Sequence, residues 1–172
     1  MSAMQRWVLR LHPQAVKIAR LPAGSPLPHW ARGGPLTSVT WNAHETSVVA
    51  PDEAVPAGIE QAGPFHAFEV KGPLDFTLVG VLHDLLEPLA GEGISVVTMS
   101  TFDTDWILVP VVQCPAATRA WRDCGHTVED TPDPRHPVAG SAAPAAPAQA
   151  GAPIAAAPPD APPPDLLRKD TP

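Results

Sequence analysis

Phe65-His-Ala-Phe-Glu-Val-Lys71 alternates apolar and polar residues, and the stretch that follows it decides the fold. The alternation predicts a strand closed by Gly72-Pro73. From Asp75 to Ala90 the apolar residues Leu78, Val79, Leu82, Leu85, Leu86 and Leu89 recur at the spacing of a helix with one buried face. Asp75 stands where a carboxylate can accept free backbone N–H groups at a helix start. Pro88 removes a late hydrogen bond, and Gly91 and Gly93 supply the stop. Ile94-Ser-Val-Val-Thr-Met99 and Asp105-Trp-Ile-Leu-Val109 read as two strands of a hairpin around the small polar turn Ser100-Thr-Phe-Asp-Thr104. Pro115 to Cys124 follows as a short helix between a starting Pro and a stopping Gly125, and His126-Thr-Val-Glu129 as a last strand. The order is βαββαβ, a ferredoxin-like α+β unit.

Working toward the N-terminus, a worn version of the same order emerges. Gln14 to Arg20 reads as a strand, Pro26 to Ala31 as one or two helical turns anchored by Trp30, and Leu36–Trp41 with Thr46–Ala50 as a hairpin around Asn42-Ala-His-Glu45. Pro51 to Val55 reads as a further short turn. The repeat predicts two tandem units, at 1–60 and 61–130. Toward the C-terminus the composition breaks near Glu129. Residues 131–172 are mostly Ala and Pro with few apolar side chains, too few to offset a chain entropy of about 1–2 kcal/mol per residue. A disordered tail is expected there. Its end, Asp165-Leu-Leu-Arg-Lys-Asp170, reads either as a docking motif or as an inert solvated end.

Composition excludes several classes. The net charge of −7 comes without a basic cluster, which argues against nucleic acid and against an anionic membrane surface. No run is long enough to span a bilayer, and Met1 to Arg10 holds too few apolar residues for a secretory signal, so a cytoplasmic protein is expected. Two cysteines, Cys114 and Cys124, do not make a disulfide framework. His29, His44, His66, His83 and His126 sit on separate elements without metal-ligand spacing, so no metal and no cofactor are expected. Neither a phosphate loop nor a convergent acid–base pair is present, and no enzyme is expected. Trp7, Trp30, Trp41, Trp106 and Trp121 are spaced irregularly, and core or interface packing is expected for each.

Certain runs carry a resemblance. Glu69-Val-Lys-Gly-Pro-Leu-Asp-Phe76, Pro88-Leu-Ala-Gly-Glu-Gly-Ile-Ser-Val96 and above all Ser100-Thr-Phe-Asp-Thr-Asp-Trp-Ile-Leu-Val109 resemble the bacterial ACT domain-containing proteins of the CASTOR-type group. Ile18-Ala-Arg-Leu-Pro22, Pro28-His-Trp30, Ser47-Val-Val49 and Pro51 to Gly58 resemble its small bacterial members. The likeness spans about residues 14–129 and leaves out the tail. It implies two ACT-like units side by side, a homo-oligomer formed through sheets or helices, and regulation by a free amino acid rather than catalysis. In the CASTOR relatives that amino acid is arginine, bound between units. It also implies a site at Gly72, Pro73, Leu74 and Asp75 together with Ser100, Thr101, Phe102, Asp103 and Asp105. Pro110-Val-Val-Gln113 departs from the charged stretch usual at that point.

Physical chemistry gives the site two readings. In the first, Gly72-Pro73-Leu74 offers backbone N–H donors to a ligand carboxylate, Thr101 and the Phe102 backbone hold its polar groups, and Asp105, helped by Asp103, takes its cation. In the second, Asp75 caps its helix, Asp103 and Thr104 only make the turn, and the module joins proteins without a metabolite.

Overall fold

The structure, a computed structural model, describes residues 5–132. The expected tail beyond that point, with its Asp165–Asp170 motif, lies outside the described residues. Among the described residues seven strands form one sheet: β1 (Val8–Pro22), β2 (Ser38–Trp41), β3 (Glu45–Pro51), β4 (Gln61–Val70), β5 (Val97–Ser100), β6 (Asp105–Pro110) and β7 (Thr127–Asp130). Two helices, α1 (Val81–Gly91) and α2 (Cys114–Asp123), lie among them. The mixed architecture with an antiparallel sheet and few helices agrees with a ferredoxin-like fold.

The strand order is β2-β3-β1-β4-β6-β5, with β7 on β1. The first half has the expected hairpin, and one 3-10 turn each at His29–Ala31 and Asp52–Ala54 stands where a ferredoxin-like unit has helices. The expected strand from Gln14 to Arg20 is longer, running from Val8 to Pro22. That length has a consequence for the second half. The first residues of β1, Leu9 to His12, pair antiparallel with Val70 to Ala67 of β4. On their other side they pair parallel with β7. In the βαββαβ order read from the sequence, β7 would lie against β4; here β1 lies between them. Past a register shift at His12–Val16, β1 takes up β3 instead. Pro13 lies in that shift and has no N–H to give a ladder.

The expected helix from Asp75 starts later, at Val81. Leu78 and Val79 are 40% and 94% exposed, so they do not belong to its buried face. The buried stripe is Val81, Leu85 and Leu89, an i, i+4, i+8 row. Asp75 makes a turn instead: its Oδ1 accepts the Thr77 N–H at 2.8 Å and the Thr77 hydroxyl at 2.6 Å, while Leu78 N–H donates to the Asp75 carbonyl. Gly80, at φ +90°, then turns the chain into α1 with a conformation that side chains rarely adopt. The hairpin strand expected at Ile94–Met99 is ordered as β5 only from Val97.

Both helices cover one face of the sheet, over a core that includes Leu9, Phe68, Val70, Ile107, Val109 and Trp121. Val16, Ala67, Leu108 and Trp106 pack on the other face. Under the first 3-10 turn, Ala19, Val48, Ala50 and Val55 make a third cluster. Thr46 is fully buried and its hydroxyl has no partner. An unpaired buried hydroxyl costs about 1–3 kcal/mol. Thr46→Val is therefore expected to raise the melting temperature by a few degrees in a thermal scan. A fall would show that the hydroxyl is paired after all.

Candidate functional site

The turn after β4 and the β5–β6 hairpin enclose a cleft of about 490 Å³. Its walls come from residues 74–76, 78, 80–83 and 100–105. The two walls, separated along the sequence, are joined because the Leu74 N–H donates to the Asp103 carbonyl at 2.8 Å. The hairpin side is closed by its own bonds. Thr101 sends both its N–H (2.8 Å) and its hydroxyl (3.1 Å) to the Thr104 carbonyl. The Ser100 hydroxyl donates to Asp105 Oδ1 at 2.5 Å, which holds a half-buried carboxylate against the cleft.

Seven of the nine residues assigned from the sequence line this cleft: Leu74, Asp75, Ser100, Thr101, Phe102, Asp103 and Asp105. Gly72 and Pro73 do not. They line an adjoining groove with Arg10, Glu69, Asp103 and Thr104. The expected donors at Gly72-Pro73-Leu74 are also corrected. The Leu74 N–H is spent on Asp103, and no helix begins there. The free N–H groups of a helix start belong to the first turn of α1, at Val81, Leu82 and His83, which is part of the cleft wall. The sequence signal for it was Gly80 directly before the Val81, Leu85, Leu89 row.

Charge and surface complete the site. Its ionisable lining is Asp75, Asp103, Asp105 and His83, with no Lys or Arg. Hydrogen bonds from the Thr77 hydroxyl and then its N–H hold the Asp75 carboxyl below the usual range. Phe76 and Phe102 are 77% and 80% exposed, yet they meet edge to face at 5.2 Å across the two walls. Exposed aromatics are unusual on a surface that touches nothing.

Away from the cleft, Cys114 is buried and its thiol pKa is pushed up to about 11, chiefly by burial. Cys124 is exposed at the C-terminal cap of α2. Among the described residues no three His, Cys, Asp or Glu side chains come together to hold a metal, and no helix is long and apolar enough to cross a membrane.

Residues 64–123 match the model of the ACT domain family. The ACT match runs from β4 to α2 and contains both walls of the cleft, while β1 and β7 lie outside it. Among solved structures, the chain is similar to a structural-genomics protein from Agobacterium tumefaciens, at 29% identity and TM-score 0.69, over 74% of this chain and 96% of that one. It is similar also to a protein of unknown function from Vibrio cholerae, described as a possible transport protein, at 19% identity and TM-score 0.59, over 71% and 92%. The regulatory subunit of aspartate kinase from Thermus flavus shares the fold at 12% identity and TM-score 0.50, over 72% and 99%. Comparison with curated proteins gives no match.

Proposed function

We propose that this chain is a non-catalytic, CASTOR-type ACT regulatory module that binds a free amino acid in the cleft. One observation carries the reading: residues 74–83 and 100–105, far apart in sequence, converge on one cleft that holds a helix first turn and three carboxylates. A free amino acid is a carboxylate beside a cation. The carboxylate is met by the first-turn N–H groups of α1 and its positive dipole end. The cation is met by Asp105, with Asp103 beside it. A cationic side chain also gains from the faces of Phe76 and Phe102. The acidic lining favours a cationic amino acid, and arginine is the first to test. Each charge-assisted bond contributes about 1.5–3 kcal/mol, so three near the upper end of that range reach the roughly −8 kcal/mol of micromolar affinity.

The tandem reading belongs to the same proposal. β2-β3-β1-β4 follows the 2-3-1-4 order of one ferredoxin-like unit, and β4 also opens the next, so the two units share a sheet. Phe76 and Phe102 at the cleft mouth, with exposed Val79 near them in the chain, then face a second copy in a homo-oligomer. A cytoplasmic setting fits the free thiols.

The second reading, an interaction module without a metabolite, draws on the same three exposed side chains. Thermal shift against the twenty amino acids separates the two. Ligand at about 100 times its dissociation constant adds about 2.7 kcal/mol, and L-arginine is expected to raise the melting temperature by several degrees. Asp105→Ala is expected to abolish that rise. Silence across all twenty, alongside a stable oligomer by light scattering, would transfer the case to the interaction module. A full response in Asp105→Ala would remove that residue from the site.

A further inference from the structure

Gly72 was assigned to the ligand from the sequence, yet it stands behind the wall of the cleft. Its φ is not in the left-handed region, so the backbone does not require a glycine there. Space does. A Cβ on Gly72 would lie 2.6 Å from the Asp103 carbonyl oxygen and 3.2 Å from the Thr104 Cβ. The first distance is one that real Cβ atoms essentially never show, and the atom it meets is backbone, which yields only if the hairpin moves.

Thr104 acts at the same seam. It is 8% exposed, and its hydroxyl donates to the Val70 carbonyl at the end of β4. Its own carbonyl receives the Thr101 N–H and hydroxyl. One residue thus closes the hairpin turn and fastens that turn to the strand that leads into the opposite wall. The Leu74 N–H bond to Asp103 completes the seam. None of these bonds leaves the Thr104 hydroxyl proton free for a ligand.

We infer that Gly72 and Thr104 are positioning residues, which set the separation of the two cleft walls: Gly72 from outside the lining, and Thr104 from within the wall through a hydroxyl committed to Val70. Gly72 allows the turn and the hairpin to close to backbone contact, and Thr104 locks them there. The inference rests on the cleft being the ligand site. It adds that the affinity of the cleft is tuned by the seam that joins its walls. Charge-assisted bonds weaken steeply once donor and acceptor leave their narrow range of distances, so a shift of a few tenths of an ångström at Asp103 and Asp105 is felt by the ligand.

The test uses the full chain, L-arginine as probe, and amide hydrogen exchange. Thr104→Val keeps the shape and removes the hydroxyl; Thr104→Ser keeps the hydroxyl. In Thr104→Val the Leu74 and Thr101 amides are expected to exchange about tenfold faster, while amides in the β1–β4 ladder stay protected. Arginine binding is expected to weaken about tenfold in both Thr104→Val and Gly72→Ala, with Thr104→Ser close to the starting protein. Should Gly72→Ala fail to fold, the Val and Ser pair carries the test. Unchanged arginine affinity in both variants overturns the inference and leaves the ligand site standing. If the starting protein binds no amino acid, the site reading falls, and exchange alone decides: unchanged rates at Leu74 and Thr101 overturn the inference, faster rates in Thr104→Val uphold the seam.

Discussion

Trp121→Ala is expected to lose about 3–5 kcal/mol of stability, read as a large fall in the urea midpoint. Trp121 is fully buried in the core between the sheet and the two helices. Its ring meets Phe68 of β4 edge on at 4.8 Å, and its Nε1 donates to the Leu85 carbonyl of α1 at 2.8 Å. One side chain on α2 therefore ties the sheet to the other helix. Removing it leaves a large cavity, deletes an aromatic pair worth about 0.5–1.5 kcal/mol and unlinks α1 from α2. Domains of this size have about 5–15 kcal/mol in all, so the variant stands near the edge of folding. Trp121→Phe is the control. It keeps most of the volume and loses the hydrogen bond, at a cost of about 1–2 kcal/mol. A loss below 1 kcal/mol in the alanine variant would mean that the helices are held by other contacts.

The same core shows why parts of this fold were legible in the sequence and parts were not. β4, β6 and α2 read correctly because their signals are local: alternation, a Pro at a helix start, a Gly after its end. The two halves of the cleft are joined in the sequence only by the family resemblance, which implies a site at the 72–75 corner and the 100–105 turn; in the structure both flank the paired strands β4 and β6. The start of α1 did not read correctly. Leu78 and Val79 extend the apolar pattern backward at helical spacing, and periodicity alone does not show that Asp75 uses its carboxylate on Thr77. Gly80 was the signal against them. The misplaced helix start also put the backbone donors at Gly72-Pro73-Leu74 instead of at Val81 to His83. Phe76 was not assigned to the site for the same reason, since it was read as lying in a helix. The placement of β1 between β4 and β7 has no local signal at all. It is a pairing between residues more than a hundred positions apart, such as Trp7 and Thr127, whose backbones bond at 2.9 Å.

That non-local strand leads to the second large expectation: a fragment of residues 61–132, although it contains the whole family match, does not fold alone. Removing the first sixty residues takes away β1, the strand on which β7 pairs. The Thr127 N–H loses the Trp7 carbonyl, the Lys71 N–H loses that of Val8, and the Thr131 N–H loses that of Leu11. Trp7 and Leu9 leave the core around Trp121, so Phe68, Val70 and Val128 meet water on that side. Burial contributes about 25 cal/mol per Å², and a fragment this short starts with little margin. Circular dichroism is expected to show no cooperative thermal transition for 61–132 and a sharp one for 5–132. The competing outcome has a definite structural meaning. β4 and β7 both run antiparallel or parallel to β1 in a sense that would let them pair antiparallel with each other. If the fragment melts cooperatively, β7 has closed onto β4, and the N-terminal strand is an insertion into a unit that is complete without it. If it does not, β1 is part of that unit, and the cleft on the far side of β4 owes its frame to a strand that the family match leaves out.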